Sequence, residues 1–467
     1  MTPATQHRTL GLTIVLAVVG VFVTYVPITS VSVALSTIRA GTGGGTADLQ
    51  WVTDAYIIPM AAAILSAGVF GDLHGRRRVY VIGMALTVLG ATVAALAGTL
   101  SGDDALHLLW AGQAITGVGA GLLLPTTLAL IAHAVPDLHD RARFVALWAS
   151  GLVLGLAVGP LISGTILESA GWGWIFVPVA ALALVVGAVA WRWLPESKAP
   201  AGRHLDWPGQ MLATVAIAAS IFGVIEGGDE GWGSAQAVLA LALGAAALVL
   251  FVRVELRSSS PILDVGLFRS PAFSASGFAA LIALFAIVGT VFLLSIFFGA
   301  DQDLAPLDIG VRLLFMNLVT AVANPFVGAA MKRAQPIAVL GFGLGLGAVA
   351  MLLLRGMGED VGLGGVAWRL SVLGVADAFM LSAVAVAAIH AVPHRLAGMA
   401  AAGNTALRQY GGALGPAVLG VILTSRMAGG ATMATAMHAA LVVNAVALLV
   451  AAAGCVLALA WAPARPA

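Results

Sequence analysis

The sequence predicts an all-α membrane protein of two parallel six-helix halves plus two extra central helices, fourteen membrane spans in all. Three observations carry that prediction. First, 60% of the 467 residues are hydrophobic and only 9% are charged, where a soluble domain carries roughly 25% charged residues. With a mean hydropathy of +1.03, most of the surface must face lipid. Second, apolar runs of about 20 residues, the length that crosses a bilayer, recur along the whole chain. Third, short motifs repeat at a nearly constant offset, the mark of an internal duplication.

The spans fall near 10–37, 50–71, 79–99, 107–133, 144–168, 173–193, 207–226, 233–253, 273–298, 309–330, 337–354, 366–391, 397–424 and 436–461. The first follows a short polar start that ends at Arg8. It far exceeds the roughly 7–15 residue core of a signal peptide, so it reads as a retained span. Spans 2 and 3 are joined by a polar hinge, Gly68-Val-Phe-Gly-Asp72-Leu-His-Gly75-Arg76-Arg77-Arg78. Span 4 ends in His133-Ala-Val-Pro136. Span 5 carries Gly155, Gly159-Pro160 and Gly164 on one stripe. Spans 7 and 8 follow a polar stretch containing Lys198 and Arg203. Span 12 ends in His390-Ala-Val-Pro393, and span 13 carries Gly411, Gly415-Pro416 and Gly420.

The glycine-proline stripe thus recurs 256 residues later and the His-Ala-Val-Pro motif 257 later. The hinge has a degraded echo 260 residues on, Gly328-Ala-Ala-Met-Lys332-Arg333. These offsets map spans 1–6 onto spans 9–14 and leave spans 7–8 as an insert. The expected domains are 1–194, a six-helix bundle; 195–258, the two-helix insert; and 259–467, a second six-helix bundle. An even number of spans separates the copies, so the halves run parallel. One side collects Arg8, Arg76 to Arg78, Arg141, Arg143, Lys198, Arg203, Arg253, Arg257, Arg269, Lys332, Arg333, Arg395 and Arg465. The opposite side holds little basic charge beyond Arg39, Arg355 and Arg426, and its loops carry Asp103, Asp104, Asp229, Glu230, Asp301, Asp303, Glu359 and Asp360. By the positive-inside rule both termini are expected in the cytoplasm.

Several functions are excluded. A net charge of +1 gives no basic field for nucleic acid. The single cysteine, Cys455, lies in an apolar run and permits neither an internal disulfide nor a cysteine metal site. No Walker-type loop is present, nor any Ser/His/Asp or metal-ligand constellation. Neither an enzyme nor a cofactor is expected.

The hinge Gly68–Arg78 resembles the loop 2–3 signature of the major facilitator superfamily. The Gly155/Gly159-Pro160/Gly164 stripe resembles the superfamily's helix-5 antiporter motif. Fourteen spans resemble its drug:proton antiporter subgroup of multidrug and secondary-metabolite efflux proteins. Further matches are Gln50-Trp51-Val-Thr-Asp54-Ala-Tyr56, Leu205-Asp206-Trp207-Pro-Gly209, Gly266-Leu-Phe268-Arg269 and Asn404-Thr-Ala-Leu-Arg408-Gln-Tyr-Gly-Gly412. The resemblance implies the major facilitator fold and alternating access. The departures are specific. Pro27 stands where the subgroup carries a helix-1 acid, and Gln113 where it carries a helix-4 arginine. Trp172-Gly173-Trp174 lacks the arginine expected between two aromatics.

Candidate site residues follow. Asp72, Gly75 and Arg76 read as a gate latch, with plain positive-inside anchoring as the alternative for the arginines. Gly159 and Pro160 read either as a cavity-sealing bend or as generic close packing. Asp377 and Arg408 are the charges nearest the bilayer midplane, where an ionisable residue costs at least roughly 2.5–3.5 kcal/mol and by default faces a cavity or a partner. They are read as a coupled pair and as a proton-coupling candidate, with a static salt bridge as the alternative. Asp54 is a third such candidate, or else an interfacial acid near a helix start. Glu226 and Arg312 read as interfacial. By resemblance, the substrate-cavity candidates are Tyr25, Tyr56, Gln113, Asn317 and Asn404, with Tyr410.

The expected function is export of lipophilic or amphipathic small molecules across the bacterial plasma (inner) membrane, by a monomer exchanging them for protons. Two alternatives stay open. One is a proton-independent uniporter or exporter of an endogenous metabolite. The other is a transport-inactive membrane sensor or accessory protein.

Overall fold

The computed structural model describes residues 3–135, 138–198, 206–258, 261–358, 360–393 and 396–460. Of the residues named above, Pro136, Arg203, Leu205, Glu359, Arg395 and Arg465 lie outside that range, as do the side chains of Arg8, Arg141 and Arg143. All regular structure among the described residues is helical. The helices are α1 (Pro3–Thr42), α2 (Thr46–His74), α3 (Arg76–Ala97), α4 (Gly102–Ala134), α5 (Leu138–Leu167), α6 (Val177–Trp193) and α7 (Trp207–Asp229). They continue with α8 (Ala235–Glu255), α9 (Pro271–Ala300), α10 (Pro306–Met331), α11 (Pro336–Leu354), α12 (Leu363–His390), α13 (Ala397–Ala428) and α14 (Met433–Ala460). Thirteen of these are long and apolar enough to cross a membrane. α2 makes a fourteenth when its segments Thr46–Ile64 and Ser66–His74, which meet at 54°, are counted as one span.

Helix ends follow local chemistry. α1 outruns its apolar stretch and stops where Gly43 takes φ +76 and its N–H bonds Arg39 O, a left-handed stop that favours glycine. The Trp172–Phe176 segment, expected to open span 6, is instead a separate 3-10 turn, and α6 begins at Val177 with Pro178 in its first turn. The Asp206 carboxylate accepts from Gly209 N at 2.9 Å and starts α7. Asp264 accepts from Gly266 N at 2.8 Å and opens the 3-10 turn Val265–Arg269.

The chain divides into two compact units, Met1–Gln210 with Ala305–Gly310, and Met211–Leu304 with Val311–Ala467. In the first, α1 packs along α5, and α4 packs against both α2 and α3. In the second, α9 packs on α13, α14 and α12, and α11 on α12 and α14. The glycine stripes make the first and second units alike. On α5, a Cβ at Gly151 or Gly155 would lie 2.7 Å from Val18 O or 2.9 Å from Phe22 O of α1. On α13, a Cβ at Gly411 would collide with Leu281 O of α9, and one at Gly415 would lie 2.5 Å from Phe285 O. Small residues let backbones touch, which is how helices associate where lipid supplies no hydrophobic drive.

α9 is apolar all round and 89% buried along its span, whereas α8 is 22% buried. An all-apolar helix can sit in a core or in lipid, and here α9 is central and α8 peripheral. Leu239, Leu243, Leu248 and Leu250 on α8 are exposed, as lipid-facing side chains are. Trp174, Trp191, Trp193, Trp207 and Trp232 are exposed near helix ends, where interfacial tryptophans anchor.

Candidate functional site

The hinge is built around Gly75, which ends α2 and starts α3 at φ +107. Asp72 pairs locally: Arg76 Nη2 donates to its Oδ1 at 3.0 Å, one turn on, and Arg76 Nη1 reaches Ala129 O of α4 at 3.3 Å. The acceptor at the α3 N-terminus is a residue that sequence reasoning did not single out, Glu196. Arg77 N and Ser197 N each donate to Glu196 Oε1 at 3.1 Å, and Arg76 N donates to Ser197 O at 2.9 Å. Arg78 Nε lies 3.9 Å from Glu196 Oε2, and Arg77 also donates to Trp191 O at the end of α6. A carboxylate is favoured at a helix N-terminus. A methyl group at Gly75 would collide with it. The one sequence cue was an acid between Arg192 and Lys198 at an otherwise basic loop.

α2, α4 and α1 form the second part of the site. α2 and α4 approach closely: a Cβ at Gly121 would lie 2.6 Å from Met60 O, and one at Gly117 would collide with Tyr56 O. Asp54 is 0% exposed, and neither carboxylate oxygen has a hydrogen-bond partner. Tyr56 Oη donates to Thr24 O at 2.5 Å, and Gln113 Nε2 donates to Val52 O at 3.1 Å. Gln113 lines a cavity of about 10 Å³ with Thr53, Tyr56 and Ile57 of α2 and with Pro27, Ile28 and Val31 of α1. The two positions where the resemblance leads one to expect an acid and an arginine, Pro27 and Gln113, therefore face one space, and both are neutral. Tyr25 lies beside Gly155 and is buried. Around Pro160, Ser30 Oγ donates to Gly159 O at 3.1 Å, and Ser163 Oγ to Ser30 O at 2.8 Å. A second tie that sequence reasoning missed is Gln210 of α7. Its Nε2 donates to Ala62 O at 2.5 Å and its Oε1 accepts from Ser66, across the bend of α2.

In the second unit, Asp377 is 2% exposed and its Oδ1 has no hydrogen-bond partner. The expected pair with Arg408 is not formed among the described residues. α12 begins earlier than its apolar run suggests, so Asp377 stands at the helix midpoint, while Arg408 stands about a turn short of the midpoint of α13. Arg408 is half-buried and has interactions of its own. Arg312, expected at the interface, is 9% exposed, stacks over Phe298 at 4.9 Å and donates to Gln302. Asn404 Nδ2 donates to Ser276 O at 3.2 Å, tying α13 to α9. Asn317 Nδ2 donates to Leu313 O at 3.5 Å, and Tyr410 Oη meets Ser220 Oγ of α7 at 2.8 Å. Tyr56, Asn404 and Tyr410 thus hold helices together in this structure.

The long apolar helices, the acids buried within them and the glycine-paired seams describe a polytopic membrane protein. The chain belongs to the Major Facilitator Superfamily, whose family model matches residues 17–416. It is therefore a multi-pass membrane transporter of small molecules rather than an enzyme. It is 32% identical over 423 residues to Multidrug resistance protein Stp of Mycobacterium tuberculosis, covering 90% of this chain and 77% of that one. It is 29% identical over 424 residues to the Methylenomycin A resistance protein of Bacillus subtilis, covering 90% and 89%. It is 28% identical over 430 residues to the Tetracenomycin C resistance and export protein of Streptomyces glaucescens, covering 91% and 78%. Among solved structures, a POT family transporter in complex with a thioalcohol-conjugated peptide shares the fold, with a TM-score of 0.70 at 16% identity over 95% of each chain.

Proposed function

We propose that this protein exports lipophilic or amphipathic small molecules, of the antibiotic or secondary-metabolite kind, from the bacterial cytoplasm across the inner membrane. It works as a monomer by alternating access, with both termini in the cytoplasm, and exchanges its cargo for protons. The observation that carries the reading is that relatives aligned along about nine-tenths of the chain are resistance and export proteins. Asp54 and Asp377 support the proton exchange. Both are buried carboxylates in spanning helices with unpartnered oxygens, and an intramembrane acid is a functional site by default. The hinge of Asp72, Gly75 and Arg76 and the Gly159-Pro160 bend act as the gate.

A second reading, export without protons, is favoured by one observation: Pro27 and Gln113 make the α1–α4 cavity neutral. Dye uptake into everted vesicles, with and without an imposed pH gradient, tests both. Gradient-driven uptake supports exchange. Uptake indifferent to the gradient supports the second reading, and no uptake of any dye rejects drug export.

A further inference from the structure

The α1–α2–α4 cavity supports a statement about the cargo, which rests on the export reading above. Gln113 is 2% exposed, and its amide is half used: Nε2 is spent on Val52 O, while Oε1 is buried without a partner. Tyr56 Oη is committed to Thr24 O. Pro27, Ile28, Val31 and Ile57 supply apolar wall, and no ionisable carboxylate or cation lines the space. The polar lining of the cavity is therefore Gln113, whose amide acceptor is orphaned, together with Thr53 and the committed Tyr56, in otherwise apolar surroundings. A buried acceptor left unpaired is costly, so such groups take a donor from protein, water or ligand. A volume of about 10 Å³ is close to what one water needs.

We propose that this cavity is a subsite for a neutral hydrogen-bond donor. It holds one water in the empty carrier and a hydroxyl or amide N–H of the cargo in the loaded one. The cargo is then an apolar, hydroxylated or amidic molecule, and a cationic head gains nothing at this position.

The test uses the purified full chain in nanodiscs and two fluorescent probes that differ in one donor, 2-naphthol and 2-methoxynaphthalene, with empty nanodiscs subtracted. 2-Naphthol binds the wild-type protein about fivefold more tightly, the worth of one net neutral hydrogen bond. Gln113→Leu abolishes the preference by weakening 2-naphthol alone. Ile28→Phe fills the cavity from the opposite wall, leaves the amide in place, and abolishes it too, so the result does not hang on one variant's folding. Equal binding of both probes to the wild type overturns the proposal, as does a preference that survives both variants. A preference lost with Gln113→Leu in a protein that exports no dye leaves the subsite standing and rejects the export reading instead.

Discussion

At the scale of single residues, the unusual feature is two acids inside helices that face lipid or protein, with oxygens that bond nothing. Burying a carboxylate without hydrogen bonds is costly, and Asp54 and Asp377 persist at that cost. A purely structural role predicts that removing them leaves transport intact and folding unchanged or improved. Proton exchange predicts something else. Asp54→Asn and Asp377→Asn should insert and melt as the wild type does, yet lose the gradient-dependent part of dye efflux while retaining dye binding. Efflux assayed with and without an uncoupler reads the difference; unchanged gradient-driven efflux in a folded Asn variant removes that residue from the coupling. At the hinge, Gly75 adopts φ +107 under the Glu196 carboxylate. Gly75→Ala should cost about 1–3 kcal/mol for backbone strain, plus the clash with Glu196. The clash is relieved in a Glu196→Ala background while the strain remains. Melting temperatures of the four proteins in a double-mutant cycle isolate that coupling. Additive effects would mean that Glu196 does not press on Gly75.

Among elements, the interfaces that matter are the glycine seams, α5 on α1 and α13 on α9. They were readable as a repeated spacing because each requires several small residues at helical intervals on one chain. The ties between distant segments were not readable. Glu196 reaches a backbone N–H 119 residues away, and Gln210 spans the α2 bend from 144 and 148 residues away. Neither partner announces the other through periodicity or capping. The enclosure of Asp54 was not readable either: near a helix start an acid can be interfacial or a coupling group, and burial comes from packing such as the close approach of α2 to α4. The seams also differ in tightness. A Cβ at Gly155 would lie 2.9 Å from Phe22 O, a marginal clash, whereas one at Gly411 would collide outright with Leu281 O. Overpacking a close interface costs about 1–3 kcal/mol and occasionally more. Gly411→Leu should therefore lower the detergent melting temperature and the membrane yield more than Gly155→Leu does. Equal losses would mean that both seams relax alike.

For the whole molecule, the question is what drives transport. The chain has no phosphate-cradling loop, and its formal net charge of +1 is spread over a few short loops. Under the proposed export, energy comes from a gradient that the protein itself dissipates. A ligand or proton can shift a two-state carrier only by as much as it prefers one state over the other. Among the buried acids, those whose carboxylates accept no hydrogen bond are the groups best able to express such a preference for protons: Asp54 in the first compact unit and Asp377 in the second. The neutral Pro27–Gln113 cavity can express a preference for cargo but not for protons. Coupling then depends on the same conformational change reaching both kinds of group. In proteoliposomes with an imposed pH gradient, dye should accumulate on the acidic side against its concentration gradient. Adding ATP should change nothing, and an uncoupler should collapse the accumulation to equilibrium. The Asp54→Asn/Asp377→Asn double variant should equilibrate dye without accumulating it, because neither acid lines the proposed cargo subsite between α1, α2 and α4. Accumulation persisting in the double variant would place the coupling outside these two acids, and accumulation that ignores the uncoupler would reject proton exchange altogether.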